Sequence, residues 1–298
     1  MSQFNRAPLV RPDLAREIAP GVLVLPDQHI GLVPNIGIVI GTDVVLVVDC
    51  GLGRANGELV RNFAREVAGS KPVLLTTTHF HPEHAFGAQA VRGYATILTN
   101  TAQADELRDK GGFFLNLFRN LDPEARKALE GTEIVMPDET YAGERTIDLG
   151  GKQVVLRELA GHTRGDQIVF LPQEQVLFTG DLVENRLFPI LFDQDASAGC
   201  WISALAHLIG LSPAIVVPGH GEIGTVALIQ EVQDYLIFVR EEVNRCIKEG
   251  QPLELIDQEA VRIVKERYQE WENDLWIPFA IRNIYAELTG TSLILPAF

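Results

Sequence analysis

Read for alternation and period, the chain divides into short apolar runs separated by glycine, proline and acidic turns. Val22–Leu25, Asn35–Ile40 and Val44–Asp49 are strand-like, and Gly41-Thr42-Asp43 between the last two suits a hairpin. Arg54–Ala68 changes to a helical period, with Leu59, Phe63 and Val67 on one stripe. Val73–Thr78 is a β-branched apolar run, predicted as a buried strand, and it leads directly into His-Phe-His-Pro-Glu-His. Pro82 fits the first turn of a helix, where its missing donor costs nothing. Ala85–Val91 is predicted as that helix and Ala95–Thr99 as a further strand. Thr101–Leu129 has a helical pattern but contains Gly111-Gly112 and the aromatics Phe113, Phe114 and Phe118. Two readings stay open there: an insertion over about 101–130 that walls a pocket, or a helix hairpin packed on the core.

A second strand-rich half follows: Glu133–Met136, Arg145–Leu149, Gln153–Leu159, Gln167–Leu171 and Gln175–Thr179. Ala198–Gly210 reads as a helix and Ala214–Val217 as the last clear strand. From Ile223 the period is helical to Leu288, with a break at Gly250-Gln251-Pro252. Trp271, Trp276, Phe279 and Tyr285 in that tail are expected to pack it against the body of the protein, and Arg240–Asp257 to form a solvated face. The expected organisation is one domain over 1–298, with an N-terminal arm or edge segment at 1–20 and a mainly helical extension at 223–298.

Composition narrows the class. At 46% hydrophobic and 22% charged, the 298 residues can build a sizeable core, and disorder is excluded. Lys+Arg 25 against Asp+Glu 40 gives −15, and no basic run longer than a pair occurs, which argues against nucleic acid as the main partner. The cysteines Cys50, Cys200 and Cys246 make neither a disulfide framework nor a CxxC pair. No apolar run approaches the roughly 18 residues of a membrane span, and the N-terminus lacks the apolar segment of a secretion signal. These features lead to the expectation of a cytoplasmic protein that acts on a small molecule, away from membranes, with homo-oligomerisation left open.

The chemistry concentrates in the histidines. Seven occur, and His79, His81 and His84 fall within six residues. Alternate residues His79 and His81 project to one side of an extended segment, while Glu83 and His84 follow where the chain turns. Such a segment can give two imidazoles to one metal and direct a carboxylate and an imidazole toward another, a donor set suited to Zn²⁺, Fe or Mn. His162 in Ala-Gly-His-Thr-Arg-Gly-Asp, Asp181 in Phe-Thr-Gly-Asp and His220 in Pro-Gly-His-Gly each lie just past a predicted strand, where ligand groups of layered α/β folds gather. His29 and His207 have no such setting, and core or surface duty is expected of both.

With these residues in this order, the chain resembles the metallo-β-lactamase-fold hydrolase superfamily over roughly Gly21 to Gly224. The resemblance implies a four-layer αβ/βα sandwich of two mixed sheets with the metals at one edge, plus the helical extension. It implies that His79, His81 and His162 hold one divalent cation, that His84, His220 and the acid of the first motif hold a second, and that Asp181 bridges them. Zinc is the first choice, with Fe or Mn as alternatives. One position departs from the family pattern: Glu83 stands where an aspartate is usual, giving HxHxEH in place of HxHxDH. Its extra methylene carries the carboxylate about 1.5 Å farther, against a tolerance of about ±0.2 Å in metal–oxygen distance, so the second site is the one this change touches.

The implied activity is hydrolysis by a metal-activated hydroxide, with Asp181 and Glu83 as catalytic-site acids and an ester, lactone, thioester or β-lactam carbonyl as target. Phosphoester or sulfate-ester hydrolysis is the enzymatic alternative, and a non-catalytic metal-binding protein the other class. Neither a Gly-x-Ser-x-Gly elbow nor a cysteine beside a candidate base occurs. Arg164, Asn185 and Arg186 lie close in sequence to candidate ligands and are the expected substrate contacts. The apolar stretch Leu187–Phe192 is read as pocket lining, core or a dimer contact.

Overall fold

Strands with two apolar faces need cover on both sides, and the order of elements supplies it. The computed structural model describes residues 6–296. The first five residues of the expected N-terminal arm and the last two of the C-terminal extension lie outside the described residues. Its first half runs β1 (Arg16–Ala19), β2 (Val22–Leu25), β3 (Ile36–Ile40), β4 (Val45–Val48), α1 (Gly53–Ala68), β5 (Val73–Thr76), α2 (Pro82–Ala85) and α3 (Ala88–Val91). It continues with β6 (Ala95–Asn100), α4 (Thr101–Leu121), α5 (Pro123–Ala128) and β7 (Glu139–Tyr141). The second half runs β8 (Glu144–Asp148), β9 (Gln153–Glu158), β10 (Gln167–Leu171), β11 (Val176–Gly180), α6 (Ala198–Gly210) and β12 (Ile215–Pro218). The helices α7 (Val226–Lys248), α8 (Leu253–Arg267) and α9 (Ile277–Thr289) close the chain.

Among the described residues β1 to β7 form a seven-stranded sheet in sequence order, antiparallel up to β4 and parallel from there. The second sheet has the order β12-β11-β10-β9-β8, with only β11 and β12 parallel. Side-chain alternation sorts each strand between two cores. Leu46 and Val48 of β4 meet Val169, Val176 and Phe178 between the sheets. Val45 and Val47 face outward onto Val60 and Ala64 of α1. On the far side, Ile168, Leu177 and Val216 pack on Trp201 of α6 and on Val232, Leu236 and Ile281 of the extension. The result is the expected α/β/β/α layering, with two mixed sheets and a helical C-terminus packed on the second. Trp271, Trp276 and Tyr285 lie half-buried against that outer core and Phe279 is buried, so these aromatics pack the tail as expected. Arg245 pairs with Glu242, Glu249 and Glu259 on its solvated face.

Some elements differ from the sequence expectation. The buried stripe of α1 is Asn56, Val60, Ala64 and Ala68, with Leu59, Phe63 and Val67 flanking it half-buried. The helix expected over Ala85–Val91 breaks at Gly87, whose N–H donates to Gly51 O (2.9 Å) and which lies so close to Cys50 that a Cβ would come within 2.1 Å of its carbonyl oxygen. Glu133–Met136 is irregular: Pro137 can donate no ladder bond, and the strand that pairs with β6 is β7 just beyond. Conversely, α4 passes unbroken through Gly111-Gly112, because Gly111 faces Ile134 where a Cβ would approach to 2.9 Å. The arm contains a 3₁₀ turn (Pro12–Leu14) and the edge strand β1.

Candidate metal centre

All the candidate ligands sit past strand ends on one edge of the sandwich, and each is fixed by its own local chemistry. Asp49 ends β4 in the left-handed region (φ 68°), a conformation an aspartate rarely adopts. From there its carboxylate accepts the Thr78 N–H (2.6 Å) and hydroxyl (3.0 Å), and it lies 2.9 Å from His84 Nδ1. That hub ties β4 to the segment after β5. His81 then caps α2 with an extended backbone (ψ 151°), and Pro82 opens the helix whose single turn carries Glu83 and His84.

From the second sheet, the loop after β9 is tightened by Thr163, whose N–H and hydroxyl both donate to Asp166. His162 projects from that loop and donates from Nδ1 to Ile190 O (2.9 Å), which leaves Nε2 with its lone pair. Asp181 follows β11 and is packed on Gly219, where a Cβ would come within 1.9 Å of Asp181 Oδ1. His220 follows β12, in a loop pinned by Asn35 to Pro218 O and Gly221 O, and by Asp27 to Gly221 N–H.

These loops bring all seven candidate ligands together as two clusters, each with ligand atoms within 4.8 Å of one another: His79, His81 and His162, then Glu83, His84, Asp181 and His220. Asp181 looks both ways. Its Oδ2 lies 3.8 Å from His79 Nε2 and 3.8 Å from His162 Nε2, while Oδ1 lies 3.2 Å from His84 Nε2 and 3.9 Å from His220 Nε2. A third group, Glu106, Asp193 and Asp195, gathers around Lys110 Nζ at 2.7–3.0 Å.

The donor atoms suit divalent cations. Buried polar groups are almost always hydrogen-bonded, yet His79 Nε2, His84 Nε2, Glu83 Oε2 and Asp181 Oδ1 have no directed partner although all are buried. Burial pushes His162 down to about 3, with the neighbouring His81 adding to the effect. Burial and the facing His84 hold His79 well below the usual imidazole range. Both are therefore neutral at pH 7, the form that binds metal. Burial also disfavours a charge on His84, but Asp181 and Asp49 outweigh it and raise its pKa well above the usual range, so a cation there must displace a proton.

Of the proposed substrate contacts, Arg164 and Arg186 are exposed near the centre in sequence, Arg186 with a left-handed backbone (φ 59°). The Asn185 amide donates to Glu222 O (2.8 Å). Leu187–Phe192 is chiefly core, through Phe188 and Leu191, while Phe192 joins an aromatic cluster around α4. His29 and His207 stand apart, paired with Glu222 and Arg157. Three acids escaped sequence reasoning: Asp49, Asp193 and Glu184. Asp193 Oδ2 lies 3.9 Å from His81 Nε2. Glu184 is buried with Oε2 unpartnered, and burial together with the charge of Asp181 drives its carboxyl well above the ordinary range. Single acids at unremarkable spacings carry no signal in sequence; only Asp49, at the end of an all-apolar strand, gave a hint.

The profile of the Metallo-beta-lactamase superfamily matches residues 29–220, more than half of the chain. A human relative named Acyl-coenzyme A thioesterase MBLAC2 is 26% identical over 164 residues, covering 50% of this chain and 58% of its own, so the chain spans well under two thirds of that protein. Among solved structures, a metallo-beta-lactamase from Pontibacter korlensis superimposes with a TM-score of 0.61 at 23% identity, covering 74% of this chain and 97% of its own. The sec-alkylsulfatase Pisa1 from Pseudomonas sp. gives 0.68 at 14% identity, covering 93% of this chain and 50% of its own. At these identities the two structures speak for the fold.

Proposed function

The chain belongs to the metallo-beta-lactamase superfamily, and from that membership and the geometry of the centre we propose that it is a metal-dependent hydrolase of a small molecule bearing an acyl carbonyl, an ester or thioester first, a lactone or β-lactam next. The observation that carries this reading is Asp181, whose two oxygens each face a different ligand cluster, with His79 Nε2 unpartnered in one and His84 Nε2 and Glu83 Oε2 unpartnered in the other. In this reading His79, His81 and His162 hold one cation, Glu83, His84 and His220 hold a second, and Asp181 serves both. Three imidazoles favour zinc, and the carboxylate-bearing second cluster also suits Fe or Mn. Bound cations supply Lewis acidity at such a centre, lowering the pKa of water toward neutrality and polarising the bond to be cut.

The chain's own residues supply orientation. Ile190 O fixes the tautomer of His162, Asp49 holds the His84 ring, and Asp193 faces the outer nitrogen of His81, so each imidazole is held for one task. Burial of the set, apart from the partly exposed His220, limits bulk water and strengthens each of these electrostatic contacts. Arg164 and Arg186 are proposed to attract anionic groups of the substrate at the rim. The name of the human relative supports the thioester within this class.

A second reading, hydrolysis of a sulfate ester, is favoured by one observation: the likeness to the alkylsulfatase extends over 93% of the chain and so includes helices beyond the family match. The test is metal analysis of protein purified without chelator, followed by a panel of thioester, ester, lactone, β-lactam, alkyl sulfate and phosphodiester substrates. The expected result is about two equivalents of metal and carbonyl turnover that falls about 100-fold or more in Asp181→Asn. Sulfate turnover alone transfers the proposal to the second reading. Full metal content with no turnover leaves a binding protein, and absence of transition metal overturns the proposal.

A further inference from the structure

One face of the His81 ring is covered by carbon. Phe114 of α4 is buried and stacks on the His81 ring at a centroid distance of 4.8 Å with 26° between the planes. Phe80 supports it edge-on at 5.0 Å. From Phe114 the aromatic surface continues in two directions. Outward lies Phe113 at 5.5 Å, 61% exposed, and along the same face of α4 come Leu117, half-buried, and Leu121, 46% exposed. Toward the C-terminal helices lies Phe192 at 6.2 Å, itself 6.3 Å from Trp276 and 5.9 Å from Phe279. Lys110, one turn before Phe114, is committed to Glu106, Asp193 and Asp195, so the charge near His81 is confined to the side where Asp193 faces its Nε2, and the ring face that Phe114 covers meets hydrocarbon.

A single exposed aromatic needs no explanation, but an apolar stripe continuous with a candidate ligand ring is a different feature. Ligand sites combine a few polar groups with a mainly apolar lining, and here the lining runs from His81 through Phe114 to exposed Phe113 on one side and to Phe192 on the other. We propose that the substrate carries an unbranched apolar chain, that this chain lies along Phe113, Phe114 and Leu117 toward Phe192, and that Phe113 and Phe192 set the chain length accepted. The inference rests on the hydrolase reading and adds the chemical class of the group next to the bond that is cut. Water released from each buried methylene is worth about a fourfold gain in kcat/KM, so lengthening an acyl group by four carbons on this wall raises kcat/KM on the order of 200-fold.

The experiment uses the metal-loaded protein and acyl thioesters from two to ten carbons, with the matching alkyl sulfates in parallel. Calorimetry with acetate and decanoate gives a readout that needs no turnover. Wild-type protein is expected to show kcat/KM rising with chain length, and decanoate binding tighter than acetate with a negative heat-capacity change. In Phe113→Ser, at an exposed position that leaves the core intact, and in Phe192→Ala, the ratio of eight-carbon to two-carbon rates is expected to fall at least about tenfold. Hydrolysis that is flat in chain length, with decanoate no better than acetate, overturns the proposed wall and leaves the hydrolase reading standing. Decanoate binding that Phe113→Ser weakens, in a protein that cleaves none of these compounds, supports the wall and removes the hydrolase reading.

Discussion

At the scale of single residues, Glu83 is the position where this chain sets its own terms. Its carboxylate stands within 4.8 Å of the ligand atoms of His84, Asp181 and His220 although the side chain is one methylene longer than the aspartate expected there from the sequence resemblance. The one-turn helix α2 and the hub at Asp49 fix the backbone from which Glu83 reaches that cluster. Shortening it is therefore expected to harm rather than restore the site. Glu83→Asp withdraws the oxygen by about 1.5 Å, far beyond the tolerance of about ±0.2 Å in a metal–oxygen bond. The second equivalent of metal is expected to bind at least about tenfold more weakly, with the first little changed. Competition against a chromophoric chelator measures both steps, and tighter binding in the variant would refute this account of the residue. The residues that the fold gathers into the two clusters were legible in sequence because imidazoles are rare and these followed closely on predicted strands. The groups that orient them were not, since an acid such as Asp49 or Asp193 becomes a partner only when the fold brings a histidine ring to it.

At the scale of elements, α4 matters most, because it carries Phe114 to His81 and is held there by charge. Glu106 accepts the Arg164 and Gly165 N–H groups of the loop that presents His162, and Lys110 ties Glu106 to Asp193 and Asp195. Burial alone would raise the Asp193 carboxyl, but the facing His81, the Asp195 N–H and Lys110 overcome it and hold its pKa well below the ordinary carboxylate range. Lys110→Met leaves the buried carboxylates Glu106 and Asp193 without their cation, which is expected to cost about 3–5 kcal/mol at pH 7. A carboxyl with a depressed pKa stabilises the fold fully above its unfolded pKa and loses that contribution as pH falls through the folded value. Burial raises the Glu106 carboxyl even beside Lys110, and loss of the cation raises it further. The variant therefore takes up a proton before wild type does, and the gap in urea unfolding should narrow as pH falls, beginning above the ordinary carboxylate range. A gap that stays constant down to about pH 4 would show that another group carries the effect.

Elements were readable where one physical signal dominated. The run Val73–Thr78 and the period of Ala198–Gly210 needed no tertiary information, and the structure puts β5 and α6 there to within two residues. The short strands β1 and β7 depend on a partner strand for their definition, and the break at Gly87 depends on Gly51 and Cys50 arriving from a distant part of the chain. The path of α4 through Gly111-Gly112 is the reverse case: helix propensity argues against it by about 1 kcal/mol per glycine, and the close approach of Ile134 decides it.

At the scale of the whole molecule, the centre joins the two sheets. His79, His81, Glu83 and His84 follow β5 of the first sheet, whereas His162, Asp181 and His220 follow β9, β11 and β12 of the second. Each cluster draws from both sides, so a cation bound to either cross-links the layers in the native state and has no equivalent site in the unfolded chain. By linkage, a cation present at about 1,000 times its Kd stabilises the fold by about 4 kcal/mol. For a chain of this size that corresponds to a Tm shift of roughly 6 °C. Exhaustive treatment with a chelator, followed by its removal, is expected to lower Tm by that amount, and added Zn²⁺ to restore it. His79→Ala, which removes one ligand of the first cluster and leaves the second intact, should retain part of the recovery; Asp181→Ala, which faces both clusters, should lose nearly all of it. Differential scanning calorimetry at matched protein concentration reads the three proteins side by side. A wild-type Tm that moves by less than about 1 °C on metal removal would mean that the two sheets are joined by hydrophobic packing alone, and that the buried imidazoles do not share a cation across the seam.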